Sequence, residues 1–296
     1  MSSERAYRLK AGEPLPEGVV VIAHGRIDHA IAELRGNSDS SAVEAVHEAR
    51  KDLKKLRALL RITRGELGEH TFRRENTCFR DAGRELAGVR DNDVMLETLR
   101  ALDLPAGVGW ELRKTIQGQR ALGGGDGRRT AAAGVVAMLR EARGRVDEWP
   151  LERDSFDALH DGLERTYRRG RRDFRAARSE PTVEALHEWR KRVKELWYHH
   201  TLLRCAWPPV MAAAGDEAHE LANGLGDDHD LAMLADWVRE HAVADPEFFE
   251  AVERRRSELQ SEAMALGERL YADKPSSYLR RLRGLWMAAQ TSVRAP

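Results

Sequence analysis

Two segments of the chain carry the same pattern of basic residues, and this pattern suits the binding of phosphate. Each segment reads H-x-x-R-K-x-x-K, from His47 to Lys54 in the first copy and from His187 to Lys194 in the second. Arginine offers forked hydrogen-bond donors to phosphate oxygens, and lysine adds a compact positive charge. A histidine at the head of such a row can also donate to an anion, which would raise the histidine pKa. The residue types therefore predict an anion site.

The spacing places the basic residues of the first copy on one side of a helix. At about 100° per residue, six cationic or titratable side chains fall within a stripe of about 120°. They are His47, Arg50, Lys51, Lys54, Arg57 and Arg61. The opposite side of the helix is apolar, which predicts that it faces the core, and it consists of Val46, Ala49, Leu53, Leu56 and Leu60.

The second copy repeats this arrangement with a shorter basic stripe. The shared residues are His187, Arg190, Lys191 and Lys194, with Leu186, Trp189, Val193 and Leu196 on the apolar side. At the outer end, Trp197 stands in place of Arg57 and Thr201 in place of Arg61. Tyr198 adds a phenol to the stripe. The second face is therefore predicted to be less charged but to keep a hydroxyl donor.

A charged helix face is usually solvated and has no further role, and such a surface is the alternative to an anion site. Solvated faces normally mix the two signs, because like charges at i and i+4 cost about 0.2–0.5 kcal/mol per pair. Here each stripe carries one sign, and the same stripe occurs twice in the chain. We therefore favour an anion site over a solvated surface.

A third basic stripe lies on the helix predicted around Tyr167. Its four arginines share an arc of about 100° and are Arg165, Arg168, Arg169 and Arg172. If this helix packs beside the His187 helix, the two stripes border one groove. The corresponding stretch of the first half carries less charge, and Arg26 aligns best with Arg168.

The composition hides these stripes in a balanced total. The 296 residues include 49 basic and 49 acidic ones, so the formal net charge is zero. Residues 50–64 and residues 165–178 nevertheless each hold seven bases and one acid, whereas residues 216–230 hold six acids and neither lysine nor arginine. Two cysteines, a polar start and no apolar run long enough to cross a bilayer predict a cytoplasmic protein without a membrane partner.

The elements that must position these residues are helices. Ala, Leu, Arg, Glu and Lys dominate the intervals between breakers, and apolar residues recur at three- and four-residue steps. We expect about eight to ten helices of ordinary length in an all-α fold, with the apolar stretch 19–22 inside a helix rather than a strand. The residues GGGDGRR at 123–129 are predicted to form a loop between helices, because no strand precedes them as in a phosphate loop.

The chain is also internally duplicated. Segments 43–56 and 183–196 are identical at nine of fourteen positions, and Asp91-Asn92-Asp93 is echoed by Asp228-His229-Asp230 in the same order. Two matched features on either side of Pro150 indicate duplicated halves, residues 1–149 and residues 150–296. We interpret them as two similar helical bundles, related by a pseudo-two-fold axis.

Together, the duplicated H-x-x-R-K-x-x-K stripes in an all-α chain of this length resemble the CHAD family, the conserved histidine α-helical domain. The resemblance covers nearly the whole chain and implies two four-helix bundles with a basic central groove or channel. It also implies binding of inorganic polyphosphate and association with polyphosphate granules. On the residues that match the family motif, it assigns this role to His47, Arg50, Lys51, Lys54, His187, Arg190, Lys191 and Lys194.

Other constellations give little support for chemistry. Asp227-Asp228-His229-Asp230 has poor spacing for metal ligands on a helix, so we interpret these aspartates as turn or N-cap residues, and Asp91-Asn92-Asp93 likewise. His199 and His200 are adjacent and point to different faces, and no HExxH or CxxC motif occurs. No serine elbow or catalytic triad can be assigned. We therefore expect no metal, no cofactor and no catalytic residues.

The leading hypothesis is non-enzymatic binding of inorganic polyphosphate in a groove lined by both halves. Nucleic acid offers the same phosphate charge but is less favoured, because few aromatic residues lie near the stripes and no nucleic-acid-binding motif is present. A phosphohydrolase or its accessory domain is a third possibility. In a fourth, the basic stripes dock an acidic partner or the chain's own segment 216–230, which would then fill the groove.

Overall fold

The computed structural model describes residues 7–36, 41–86, 91–120, 126–241 and 245–294. These residues form helices and no strand, which confirms the all-α prediction. The helices are α1 (Leu15–Leu34), α2 (Ala42–Ile62), α3 (Arg64–Glu85), α4 (Asp91–Arg100), α5 (Ala106–Arg120), α6 (Asp126–Arg145), α7 (Asp157–Ser179), α8 (Val183–Leu202), α9 (Pro208–His241), α10 (Pro246–Leu270) and α11 (Pro275–Arg294). Two short 3-10 turns, Val146–Glu148 and Arg204–Ala206, join longer elements.

The described residues hold eleven α-helices, slightly more than the sequence predicted. The additional helices lie between Ala42 and Arg100. This stretch contains no proline to mark a boundary, but it forms three helices, α2, α3 and α4. One break follows α2, where Thr63 leaves the helical conformation, and a kink follows inside α3, where Gly68 adopts a φ of 69°. That left-handed conformation is readily available to glycine, so the backbone bends there without a proline. The apolar stretch 19–22 lies inside α1, as expected.

The two basic helices begin with side-chain caps and bury the faces that the sequence predicted. The Ser41 hydroxyl accepts a hydrogen bond from the Glu44 backbone N–H at 3.3 Å, and the Glu44 carboxylate accepts one from the Ser41 N–H at 2.9 Å. Thr182 caps α8 by accepting from the Ala185 N–H at 3.1 Å. The apolar sides of both helices lie in the core, including Leu53 in α2 and Trp189 in α8.

Helices α1, α2, α3 and α6 pack on one another, and α7, α8, α9 and α10 pack successively. One hydrophobic core includes side chains from both groups, and a second, smaller core is formed by α4, α5, α9 and α10. The proposed division into residues 1–149 and 150–296, and the pseudo-two-fold relation between them, stay predictions from the sequence.

Two polar contacts bind α2 directly to α8. The Nε2 atom of His199 donates to the Ala58 carbonyl oxygen at 3.2 Å, and Arg61 Nε lies 3.2 Å from a Glu195 carboxylate oxygen. His199 is fully buried, and burial lowers its pKa to about 3, so the ring is neutral at physiological pH. These contacts place the two duplicated basic helices side by side.

Two local predictions were wrong. Asp228 is not a cap, because α9 continues through Gly226 without a turn and places Asp228 in the helix interior. Its buried carboxylate instead accepts hydrogen bonds from Arg256 Nε at 3.0 Å and Gln260 Nε2 at 2.8 Å on α10. Of the loop expected at 123–129, residues 126–129 belong to α6, and residues 123–125 lie outside the described residues. Asp91 begins α4, but the side chains of residues 91–93 also lie outside them.

Candidate polyanion-binding cavity

The stripes of α2 and α8 meet at one large cavity. Its volume is about 1450 Å³. The cationic and titratable side chains that these two helices contribute to its lining are His47, Arg50, Lys54, Arg190 and Lys194. The structure therefore brings together equivalent residues of the two sequence copies, Arg50 with Arg190 and Lys54 with Lys194. This arrangement offers two arginine forks and two ammonium groups to a single anionic ligand.

The remaining walls come from α4, α9 and α10. Helix α9 contributes polar residues next to the cations, namely Asn223, Asp227, His229 and Asp230. Farther along, the lining becomes partly apolar, with Met95 and Trp237. The charged residues there are of both signs, namely Arg254, Arg255, Glu97, Asp103, Asp236, Glu240 and Glu258. The acidic segment 216–230 thus contributes part of a wall and leaves the cavity open, unlike the arrangement in which it would fill the groove.

Lys194 has a lowered pKa at the cavity. Its half-buried position is the largest cause that lowers its pKa to about 7, followed by the nearby charges of Arg190, Lys54 and Arg50. Asp230 acts in the opposite direction but does not restore the usual lysine pKa. The part of this shift that comes from the neighbouring cations is the part that a bound anion would offset.

Arg190 is held against α9. Its Nε atom donates a hydrogen bond to the Ala222 carbonyl oxygen at 3.2 Å. Burial lowers the pKa of Arg190, while the charges of Asp230 and Asp227 act to raise it. The guanidinium is therefore oriented by the backbone of α9 and partly balanced by two carboxylates at the cavity wall.

His187 lies beside the cavity and does not line it. Its ring packs on that of His229, with 4.6 Å between the ring centroids. Its Nδ1 atom is buried and has no hydrogen-bond partner within the described part of the chain. Burial lowers the pKa of His187, and the charges of His229, Lys191 and Arg190 lower it further. The histidines of the two copies thus occupy different places, since His47 does line the cavity.

The outer residues of both stripes are engaged elsewhere. Lys51 donates to Glu48 at 2.9 Å, and Lys191 pairs in the same way with Glu188. Arg57 Nε donates to the Asn76 side-chain oxygen at 3.1 Å, and burial together with the charge of Arg61 lowers the Arg57 pKa to about 10. Arg61 pairs with Glu195, as described above. None of these four cations is among the residues that line the cavity.

Two other predicted site residues belong to the core. Arg26 is buried, and its Nη1 atom donates to Asp52 at 3.0 Å. Tyr198 is also buried, with its ring edge-on to Tyr7 at a centroid distance of 6.1 Å. It stacks on Trp197 at 4.7 Å as well. Neither side chain is placed at the cavity, and both contribute to packing.

The third stripe does not contribute to the cavity. Helix α7 does pack on α8, as the groove hypothesis required, but through an apolar side that includes Phe174 against Trp189. Its arginines at 165, 168, 169 and 172 are exposed, and none lines the cavity. Arg168 pairs with Glu164 on the same helix, and Arg172 with its neighbour Asp173.

The sequence reasoning missed the contribution of α9 and α10 to the site. The echo of Asp-x-Asp between the halves was a usable signal, because its member Asp230 lines the cavity next to the second basic stripe, as does the adjoining Asp227. The run Arg254-Arg255-Arg256 was another, and its first two residues line the cavity. Among the described residues, no group of three or more His, Cys, Asp or Glu side chains is arranged to hold a metal ion.

Comparisons with known proteins agree with this architecture. A family model described as the CHAD domain matches residues 22–239. The chain is also similar to the CHAD domain from the plant Ricinus communis, known from a crystal structure, with a TM-score of 0.57 and 18% sequence identity. The alignment covers 95% of this chain and 94% of that one, and at this identity it shows the fold alone. Comparison with curated proteins finds no match. In the described part of the chain, no helix has the length and apolar character needed to span a bilayer.

Proposed function

Because the chain belongs to the CHAD domain family, we propose that the cationic end of its cavity, where α2 and α8 meet, binds inorganic polyphosphate without chemical conversion. The observation that carries the proposal is the convergence of Arg50 and Lys54 from α2 with Arg190 and Lys194 from α8 on one cavity. Successive phosphates of a linear chain present a negative charge at each repeat. Two duplicated rows of cations can contact several phosphates of one such chain at the same time.

The electrostatics of the cavity support an anionic ligand. Burial, and after it the nearby positive charges of Arg190, Lys54 and Arg50, lower the pKa of Lys194 to about 7. A bound phosphate reverses this repulsion, because it attracts the protonated ammonium group and the neighbouring guanidinium groups. Arginine forks and charge-assisted hydrogen bonds, each contributing about 1.5–3 kcal/mol, supply further affinity.

Reversal of the four cavity cations tests the proposal. We expect that Arg50→Glu, Lys54→Glu, Arg190→Glu and Lys194→Glu together abolish binding of long-chain polyphosphate in a titration, while circular dichroism retains the helical signal. The matched control reverses the same number of exposed charges on α7, at Arg165, Arg168, Arg169 and Arg172. It should weaken binding much less, since these residues act only through a screened long-range field. Tight binding by the folded cavity variant would refute the proposal.

Salt dependence gives an independent test of charge neutralisation. Each phosphate that the protein neutralises releases counterions, so the logarithm of the binding constant should fall linearly with the logarithm of the salt concentration. By analogy with single-stranded nucleic acids, four contacts correspond to a slope of about −3. Binding that does not change with salt would argue against ion pairing as the source of affinity.

Nucleic acid is the second candidate partner because it presents the same phosphates. Single-strand binders commonly add aromatic platforms for the bases. Here Tyr167 and Tyr198, which lie near the basic stripes, are buried in the core, and Trp237 at the far end of the cavity stacks on His241. We therefore expect long-chain polyphosphate to displace single-stranded RNA in a competition assay. Stronger binding of the RNA would favour the second candidate.

The proposal of binding without conversion has its own test. We expect no phosphate release above background when the protein is incubated with polyphosphate and Mg²⁺ or Mn²⁺. Release that depends on the protein would instead indicate a polyphosphate-processing enzyme. The proposal also includes a cytoplasmic location with association to polyphosphate granules, which microscopy of a fluorescently tagged chain would test against granules stained for polyphosphate.

A further inference from the structure

Helix α9 contains three glycines at interior positions, Gly215, Gly224 and Gly226. Glycine is the least favourable residue in a helix interior apart from proline, so each position calls for a reason. At Gly224, an added Cβ atom would meet no atom within 4 Å. At Gly226, by contrast, an added Cβ atom would lie only 2.3 Å from an Nη2 atom, and this atom belongs to Arg190.

The crowding at Gly226 is specific to one side chain. The three nearest atoms to the added Cβ are Nη2, Cζ and Nε of Arg190, at 2.3, 2.8 and 3.1 Å. Glycines that serve helix packing have other neighbours: Gly162 meets the backbone of Ile62, and Gly267 meets the rings of Phe174 and Trp189. Gly226 therefore makes room for a guanidinium and not for a neighbouring helix.

The same guanidinium is fixed one helical turn earlier. Arg190 Nε donates to the Ala222 carbonyl oxygen at 3.2 Å, and Ala222 precedes Gly226 by four residues, which places both on the same face of α9. The guanidinium thus lies against α9, with Nε at Ala222 and Nη2 nearest to Gly226. With Nε engaged by the backbone, the Nη donors are those left for a ligand in the cavity that Arg190 lines.

We propose that Gly226 is a positioning residue that allows the Arg190 guanidinium to lie on α9 and present its Nη donors to phosphate in the cavity. This inference rests on the proposed function of that cavity. A β-carbon at position 226 displaces the guanidinium from Ala222 and leaves its charge in the region but without a fixed direction. Affinity then falls because a forked contact needs orientation as well as charge.

The test compares Gly226→Ala with the matched variant Gly224→Ala, two residues away on the same helix. We expect Gly226→Ala to weaken polyphosphate binding about tenfold or more, as for the loss of one charge-assisted hydrogen bond, and Gly224→Ala to stay within about twofold of the wild type. In an Arg190→Ala background, Gly226→Ala should change affinity less than about twofold. The proposal would be overturned if Gly226→Ala bound polyphosphate as tightly as the wild type. It would also be overturned if Gly226→Ala lowered the affinity equally in the wild-type and Arg190→Ala backgrounds.

A measurement without polyphosphate separates this inference from the proposed function. The Nε–H signal of Arg190 in a nitrogen-15 NMR spectrum is identified by its absence in Arg190→Lys. We expect slow hydrogen exchange for this signal in the wild type and in Gly224→Ala, and fast exchange in Gly226→Ala. Unchanged exchange in Gly226→Ala would overturn the positioning role, whereas a wild type that fails to bind polyphosphate would overturn the proposed function.

A second variant keeps the test decisive if Gly226→Ala does not fold. Lysine lacks the planar guanidinium that meets the added Cβ, so Arg190→Lys should relieve the contact. We expect the double variant Gly226→Ala/Arg190→Lys to fold and to bind polyphosphate as Arg190→Lys does alone. A double variant that also fails to fold would assign the crowding at position 226 to a neighbour other than Arg190 and would refute the proposal.

Discussion

Helices α2 and α7 carry equally dense positive charge, and the fold uses this charge in different ways. Residues 50–64, mostly in α2, and residues 165–178 of α7 each hold seven bases and one acid. In α2, Arg50 and Lys54 line a cavity together with cations from α8. In α7, the arginines from 165 to 172 that the sequence assigned to the site are exposed and lie outside that cavity. Charge density along the chain therefore does not by itself identify a binding site.

The difference lies in how many elements share the charge. Arg50 from α2 and Arg190 and Lys194 from α8 are half-buried at the same cavity, so their fields add with less screening by water. Lys194 responds with a pKa of about 7, caused first by burial and then by Arg190 and Lys54. An exposed pair such as Arg168 with Glu164 contributes only about 0–1 kcal/mol. Convergence and burial, more than sequence composition, distinguish a candidate site from a solvated face.

The largest expected effect concerns Arg26, the residue of the first half that corresponds to the arginine stripe of α7. Arg26 aligns with the exposed Arg168 in sequence, but the structure buries it against Asp52. We expect Asp52→Asn to lower the free energy of unfolding by about 3–5 kcal/mol, because it leaves a buried guanidinium without its carboxylate. Urea denaturation measures this loss, and Glu164→Gln beside Arg168 serves as the exposed control. Equal effects of the two variants would show that the two arginines do not differ in role.

The next effect compares single charge reversals in the two regions. We expect Lys194→Glu to weaken polyphosphate binding about a hundredfold, because it removes a ligand contact and adds repulsion inside a half-buried cavity. Arg168→Glu should weaken it less than about threefold, since solvent and salt screen an exposed charge. Fluorescence titration at one fixed salt concentration measures both values. A comparable loss in the two variants would erase the distinction between cavity and surface.

The pH dependence should also separate the two regions. In the protein without ligand, the Lys194 side chain is largely neutral at pH 8, because its pKa is about 7. Binding of an anionic ligand favours the protonated form. The affinity for polyphosphate should therefore rise about tenfold as the pH falls from 8.5 to 7. A histidine with an ordinary pKa stays mostly neutral over this interval and contributes little to the change. Lys194→Arg should flatten this rise, because arginine stays charged, whereas Arg168→Lys should leave it unchanged. A wild-type profile that is flat across this interval would contradict the prediction.

The smallest expected effect contrasts two lysines of one stripe. Lys54 lines the cavity, whereas Lys51, one turn away, pairs with Glu48. We expect Lys54→Ala to weaken polyphosphate binding about tenfold and Lys51→Ala to weaken it less than about threefold. Only Lys54→Ala removes a direct contact with the ligand. Calorimetric titration of both variants checks the order. Equal losses would show that the whole predicted stripe contacts the ligand.

The periodicity of the sequence predicted the buried faces of α2 and α8 because a helix repeats every 3.6 residues whatever surrounds it. It therefore placed Leu53 and Trp189 in the core correctly. The same periodicity could not tell which part of a basic stripe meets the cavity. Arg61 turns to Glu195 of another helix, and Tyr198 is covered by Tyr7 from the start of the described chain. Both outcomes depend on tertiary neighbours.

Asp228 shows a second limit of the sequence. Glycine before aspartate is typical of a turn, and the pattern at Gly226 therefore favoured a helix cap. In the structure α9 continues through Gly226, which lies against the Arg190 guanidinium, and Asp228 accepts a hydrogen bond from Arg256 on α10. A glycine that makes room for a side chain of another helix and a glycine that ends its own helix can have the same neighbours in the sequence. Only the packing of α8 on α9 separates the two cases.

The most direct test of the central claim is a crystal structure of the protein with inorganic tripolyphosphate. The proposed function predicts phosphate groups inside the cavity, within hydrogen-bond distance of Arg50 from α2 and Arg190 from α8 in the same molecule. Phosphate found only along the exposed arginines of α7, with none between α2 and α8, would contradict it.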